Sequence, residues 1–146
     1  MRITQEADYA IRICAVLDVL SKKAGALEIA TMAGITQSFA LKILRKLADA
    51  NIVKSYKGAF GGYVLNADAE QLRIIDVIEA IEGPLKLSKC LECGYDCTRN
   101  PNKGCCKMHV AFAALNQNLV NSLGRITVRM LNDESISATD ITDVIK

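Results

Sequence analysis

Apolar residues recur with helical spacing from the start of the chain. Ala7, Ala10, Ile11, Cys14, Leu17 and Leu20 form one stripe. Thr4 stands before it as a hydroxyl cap, with Glu6 and Asp8 in the positive first turn. This predicts a first helix with Cys14 as a small core residue. The stretch LEIATMAGITQSFALKILRKLADANIV then reads as two helices. A short one covers 27–33 and stops at Gly34. A second is capped by Thr36 and runs to about Asp49. Ala40, Ile43, Leu44 and Leu47 fall on its inner face. Gln37, Ser38, Leu41, Lys42 and Arg45 fall on the outer one.

In NIVKSYKGAFGGYVLN the period changes. Ile52, Val53 and Tyr56, then Tyr63, Val64 and Leu65, are strand formers on either side of a glycine-rich turn. EQLRIIDVIEAIEGPL predicts a further helix, with Ile74, Ile75, Ile78 and Ile81 inward and Gly83-Pro84 as its stop. From about Lys107 to Leu131 the helical period returns. Phe112, Leu115, Leu119, Leu123, Ile126 and Met130 make a narrow seam of the coiled-coil kind, interrupted at Gly124. The tail 132–146 fits a short final helix or a mobile end.

Two short helices around a small-residue turn, the second polar and basic outside, fit a helix-turn-helix. A basic hairpin directly after it is the arrangement of a winged helix. The expected fold is therefore mainly α: a winged helix-turn-helix with a two-stranded wing and a long C-terminal dimerisation helix. Three segments follow: 1–83, a DNA-binding unit with its connector helix; 84–109, a cysteine-rich loop; and 110–146, the dimer helix and tail.

Composition narrows the class. The chain has 146 residues, 51% hydrophobic and 23% charged, which suits a folded domain rather than a disordered one. No run of about 18 apolar residues could span a bilayer. The N-terminus carries acids early and does not read as a secretory signal, so a cytoplasmic protein without membrane partners is expected. The net charge of +2 is unevenly spread: residues 1–66 hold nine Lys/Arg against five Asp/Glu, and 67–146 hold nine against eleven. The positive excess lies in the winged half and points to a polyanion partner.

Residue chemistry suggests roles on a duplex. Thr36, Ser38 and the amides of that helix start can grip phosphate. Gln37 and Lys42 have the reach to read base edges. Leu41 could meet a thymine methyl or pack under the wing. Arg2, Arg45 and Lys57 are phosphate candidates, and Phe60 at the wing tip suits a minor-groove or backbone contact.

Residues 89–109, KCLECGYDCTRNPNKGCCKMH, hold five of the six cysteines and the single histidine. The order is Cys90-x2-Cys93-x3-Cys97-x7-Cys105-Cys106-x2-His109. In a reducing compartment such clustering points to metal or redox chemistry more than to a disulfide framework. Three uses fit: thiolates around an iron–sulfur cluster, a tetrahedral zinc site, or bare thiols forming an oxidation switch. No nucleophile–base pair accompanies the cysteines apart from His109, so an enzyme is not expected.

MRIT with DYAIRI, IATMAGITQSFALKILRKL, NIVKSYKGAFGGYVL, VIEAIEGPL and CCKMH occur in that order, over about residues 1–131. In this the chain resembles the IscR/NsrR-type family of bacterial winged-helix iron–sulfur transcriptional regulators. The resemblance implies a homodimer, held by the long helix, that represses from a double-stranded operator. It also implies a two-iron or four-iron cluster in the loop, by which iron–sulfur status, redox or nitric oxide is sensed. One branch of the family has no cluster and governs cysteine metabolism through a protein partner. By the resemblance the ligands are Cys90, Cys97 and Cys106. The gap between the last two is longer than the family pattern, and Cys93 or Cys105 could replace a neighbour. The fourth ligand is either His109 or, from the partner subunit, the acid in the place of Asp8.

Overall fold

The structure, a computed structural model, describes residues 2–99 and 106–145. Helix α1 (Gln5–Leu20) begins at Thr4, whose Oγ1 accepts from the Ala7 amide at 3.3 Å. Ala7, Ala10, Ile13, Cys14 and Leu17 are buried, and burial pushes the Cys14 thiol up to about 12. Helix α2 (Ala26–Ala33) ends at Gly34, whose φ of +68° is the left-handed conformation that glycine adopts at least cost. The Gly34 and Ile35 amides donate back to Thr31 and Ala30, which satisfies the last carbonyls of the helix. Helix α3 (Gln37–Asp49) follows two residues later, capped by Thr36, with Ala40, Ile43, Leu44 and Leu47 fully buried.

Strands β1 (Val53–Tyr56) and β2 (Gly62–Leu65) pair antiparallel, Val53 opposite Leu65 and Tyr56 opposite Gly62. A backbone bridge helps fasten the wing to the helices. Ala24, between α1 and α2, bridges to Tyr63 through backbone bonds of 3.0 and 2.8 Å. Helix α4 (Ile74–Glu82) buries Ile74, Ile75, Val77 and Ile78 and stops at Gly83. Helix α1 is the hub of the core, packed against α2, α3, α4 and strand β2.

The long C-terminal helix departs from the expected extent. Helix α5 spans Lys107–Leu123 and ends at Gly124 instead of running to Leu131. Glycine is a weak helix former, and the β-branched Ile126 and Thr127 that follow take an extended path. The Ile74 amide donates to the Ile126 carbonyl at 2.9 Å, and the Val128 amide to Leu72 at 2.9 Å. Thr127 then caps the short helix α6 (Val128–Asn132), which returns to α1. Ile126 is thereby buried with Ala7, Ile74 and Ile78 in this chain's own core rather than on a seam. A last helix, α7 (Ala138–Ile145), closes over the same cluster through Ile141 and Ile145.

The return of α6 rests on one polar knot. Asp18 is buried on α1, its carboxylate 3.0 Å from the Arg129 guanidinium. Asn132 Nδ2 donates both to Asp18 Oδ2 and to the Ala15 carbonyl, each at 2.9 Å. Among the described residues no helix is long and apolar enough to cross a membrane.

Candidate nucleic-acid interface and cysteine loop

Helix α3 is held to the core by its aliphatic face, so its opposite face must point outward. Thr36, Gln37, Ser38, Leu41, Lys42 and Arg45 are all exposed. Thr36 Oγ1 and Ser38 Oγ lie 3.2 Å apart at the helix start, beside amides able to meet a phosphate. Leu41 keeps 42% of its surface exposed on the same face. At the wing tip Phe60 is 88% exposed, and Lys57 beside it is exposed too; Arg2 is exposed but lines a hollow with Glu82, Pro84, Lys86 and Cys93 at the start of the cysteine loop.

Four residues of this face have no signal in the spacing of the sequence. Phe39 is 45% exposed and stands edge-on to Tyr9, ring centroids 6.1 Å apart. Lys23 and Lys54, from two different segments, each lie 5.4 Å from the centre of the Tyr56 ring. They add two cations at the turn end of the wing strands. The fourth is Glu6. Lys42 Nζ is 3.3 Å and Lys46 Nζ 2.9 Å from its Oε1. That oxygen is shut off from solvent, and the approach angles make these charge contacts rather than well-directed hydrogen bonds. Lys46 is the main reason the Glu6 carboxyl lies below its ordinary range; partial burial opposes it and Lys42 adds to it. Lys42, expected to read bases, is thus engaged within the chain.

The cysteine loop is anchored at its entry. Glu82 Oε1 accepts from both the amide and the hydroxyl of Thr4, at 2.9 and 2.8 Å, tying the end of α4 to the start of α1. The Leu85 amide donates to Glu79, and the Leu87 amide donates to the buried Asn116 of α5 at 2.8 Å. After these anchors Cys90 lies on a 3-10 turn (Lys89–Leu91), half-buried, its Sγ 3.3 Å from Ser88 Oγ. Cys93 is exposed and Cys97 half-buried. Cys106 caps the N-terminus of α5, where an anion is favoured by the helix dipole. Cys105 lies outside the described residues.

His109, in the first turn of α5, is half-buried, and its Nδ1 is shielded from solvent without a hydrogen-bond partner among the described residues. A buried polar nitrogen left so is costly and calls for an explanation. Asp8 differs: its carboxylate is 2.7 Å from Arg12 one turn along, and about half exposed. Among the described residues no three Cys, His, Asp or Glu side chains come together in a metal-holding group. The turn that carries Cys90 packs against α5, the helix that begins at Cys106 and carries His109, but the side chains do not converge on a point.

Comparison with known proteins agrees with this layout. Residues 3–134 match the family model Rrf2, an iron-dependent transcriptional regulator. The HTH-type transcriptional regulator IscR of Vibrio vulnificus is 31% identical over 150 residues, covering 99% of this chain and 86% of that protein. Among solved structures, CymR, the global cysteine regulator of B. subtilis, superposes with a TM-score of 0.70 at 22% identity, over 90% of this chain and 95% of its own. T. potens IscR does so with a TM-score of 0.68 at 21% identity, over 94% and 93%. The winged-helix fold is thus shared with both, and the chain belongs to the Rrf2 family of transcriptional regulators.

Proposed function

We propose that the chain is a homodimeric transcriptional repressor whose grip on its operator is set by an iron–sulfur cluster held in the 84–109 loop. The observation that carries this reading is His109 Nδ1, a shielded nitrogen with no hydrogen-bond partner among the described residues, one turn after Cys106 on the helix that packs against the turn carrying Cys90. Thiolate sulfur and an imidazole nitrogen suit iron–sulfur ligation. Cys90, Cys97 and Cys106 would supply the sulfur, and Cys93 and Cys105 are spare donors. His109 is the better fourth ligand of the two considered, because Asp8 is already neutralised by Arg12. A cluster bound there supplies redox and ligand-exchange chemistry. What the chain supplies is the linkage from the loop to the reading head. The Glu82 carboxylate fastens the loop's entry to the cap of α1, and α1 packs directly on α3. A reordered loop would then act on the helix that faces DNA, and about 1–3 kcal/mol of coupling would change affinity five- to 150-fold.

The dimer is supported by α5. Met108 and Leu115 are 58 and 56% exposed, and Phe112 and Leu119 on the same face are only half covered. An apolar stripe of that kind on a surface helix is the expected face for a second copy. A two-fold protein would then read two half-sites about one helical turn apart. Leu115→Glu should yield a monomer by sedimentation and weaken operator binding by at least tenfold.

The test of the cluster is direct. Protein purified without oxygen should be coloured and contain both iron and acid-labile sulfide, and loaded and stripped protein should differ in operator affinity at one stated salt concentration. Serine at Cys90, Cys97 or Cys106 should each remove the colour. A colourless, sulfide-free protein that still binds the operator would leave the cluster-free reading, with regulation by thiol oxidation or a protein partner.

A further inference from the structure

The reading helix carries a counter-charge that comes from another element. Glu6 is in the first turn of α1, yet its Oε1 sits between Lys42 and Lys46, one turn apart on α3, at 3.3 and 2.9 Å. The Glu6 side chain keeps only 23% of its surface exposed, against 60% for Lys42 and 38% for Lys46. This differs from an ordinary surface ion pair. A single carboxylate oxygen, withdrawn from water, sits in charge contact with two ammonium groups that otherwise remain open to a ligand. The position of Glu6 is itself fixed, because Thr4 caps the helix and is held by Glu82.

A carboxylate bridging two lysines takes the place that a backbone phosphate oxygen would take. Phosphate contacts supply nearly all the affinity for non-specific duplex, whereas an operator adds base-edge contacts. A protein that keeps part of its positive charge occupied internally therefore loses more on random DNA than on its own site. We propose that Glu6 is a specificity-setting positioning residue, which holds Lys42 and Lys46 off the phosphates of duplex lacking the operator sequence. This rests on the reading of α3 as the DNA-facing helix, and it goes beyond that reading by assigning a role against the wrong DNA.

The experiment uses the full chain, a random-sequence duplex, and a duplex that the protein itself selects from a random pool. Affinities are measured across a salt series. Each phosphate contact adds about 0.9 to the salt slope. Glu6→Gln should steepen the slope on random duplex by about two contacts' worth, so that affinity falls about tenfold more between 50 and 200 mM salt than for the wild type. It should raise low-salt affinity for random duplex more than for selected duplex. Lys42→Gln/Lys46→Gln in the wild-type background should leave the random-duplex slope nearly unchanged. The triple variant should return to the wild-type slope, which a mere change of net charge would not produce. An unchanged slope in Glu6→Gln overturns the inference. So does a slope lowered by about two contacts in the double lysine variant, since those lysines would then already be on phosphate. If wild-type protein holds neither duplex at any salt, the DNA-facing reading falls, and the inference with it.

Discussion

Arg129→Met should destabilise the fold even though Arg129 itself is half in water. The change leaves the Asp18 carboxylate, only 4% exposed, without the guanidinium 3.0 Å away. Asn132 Nδ2 at 2.9 Å becomes its remaining side-chain donor among the bonds described above. A hydrogen bond to a charged group contributes about 1.5–3 kcal/mol, and a carboxylate left buried without its counter-ion costs more. Arg129 is 48% exposed, so water can partly replace it and the loss is placed at about 2 kcal/mol. For a chain of this size each kcal/mol moves the melting temperature by about 2–4 °C, so a fall of about 4–8 °C is expected. The assay is thermal melting of apo protein at fixed protomer concentration, since association also raises the midpoint. Asp18→Asn and the double variant complete a cycle, with a coupling of at least about 1 kcal/mol expected. A fall of less than about 1 °C, or purely additive variants, would show that the knot between α1 and α6 is an accessory rather than a structural tie.

Other consequences concern the wing, acid stability and the thiols. Gly62→Ala would place a Cβ 2.7 Å from the Ala24 carbonyl oxygen at a φ of +151°; hydrogen exchange at the Ala24 and Tyr63 amides should quicken at least tenfold, and undisturbed protection there would contradict the strain. Arg73 holds the Asp76 carboxyl below its ordinary value of 3.8. That contribution to stability is complete above the ordinary aspartate value and is lost as the pH falls through the lower folded one. The stability gap between wild type and Arg73→Met should therefore be full near pH 7 and shrink in denaturant titrations taken below pH 4. A gap independent of pH would break this assignment. In stripped protein an alkylating reagent at pH 8 should modify exposed Cys93 quickly and spare Cys14 until unfolding, because burial raises the Cys14 thiol to about 12. Mass spectrometry showing early label on Cys14 would refute its place in the core.

Local order was legible along the chain because caps, stops and periodicity act between neighbours. Thr4 and Thr36 cap the helices assigned to them, Gly34 and Gly83 end theirs, and the stripe on α3 is the buried one. The strands pair across the glycine turn as their composition indicates. The outward basic face of α3 followed from the same period, and the family resemblance followed from motifs kept in order. What failed was the helix to Leu131. A seam of heptad spacing does not reveal whether its partner is another chain or a segment of the same one. The pairing of Leu72–Ile74 with Ile126–Val128 settles that for its last turn.

Contacts between distant segments carry no mark in the sequence. Glu6 reads as a helix-dipole acid until α3 is packed beside it and two lysines close on its oxygen. Asp18 reads as a surface aspartate until α6 returns to cover it. Lys23 joins the wing because Ala24 bridges to Tyr63. The sequence alone thus determined which helices and strands form, which faces go inward and where the thiols gather, since these depend on spacing and on bonds between near neighbours. Only the tertiary structure decided which charges meet, how far α5 extends and that His109 is shielded, because burial and Coulomb attraction depend on distance in space rather than along the chain.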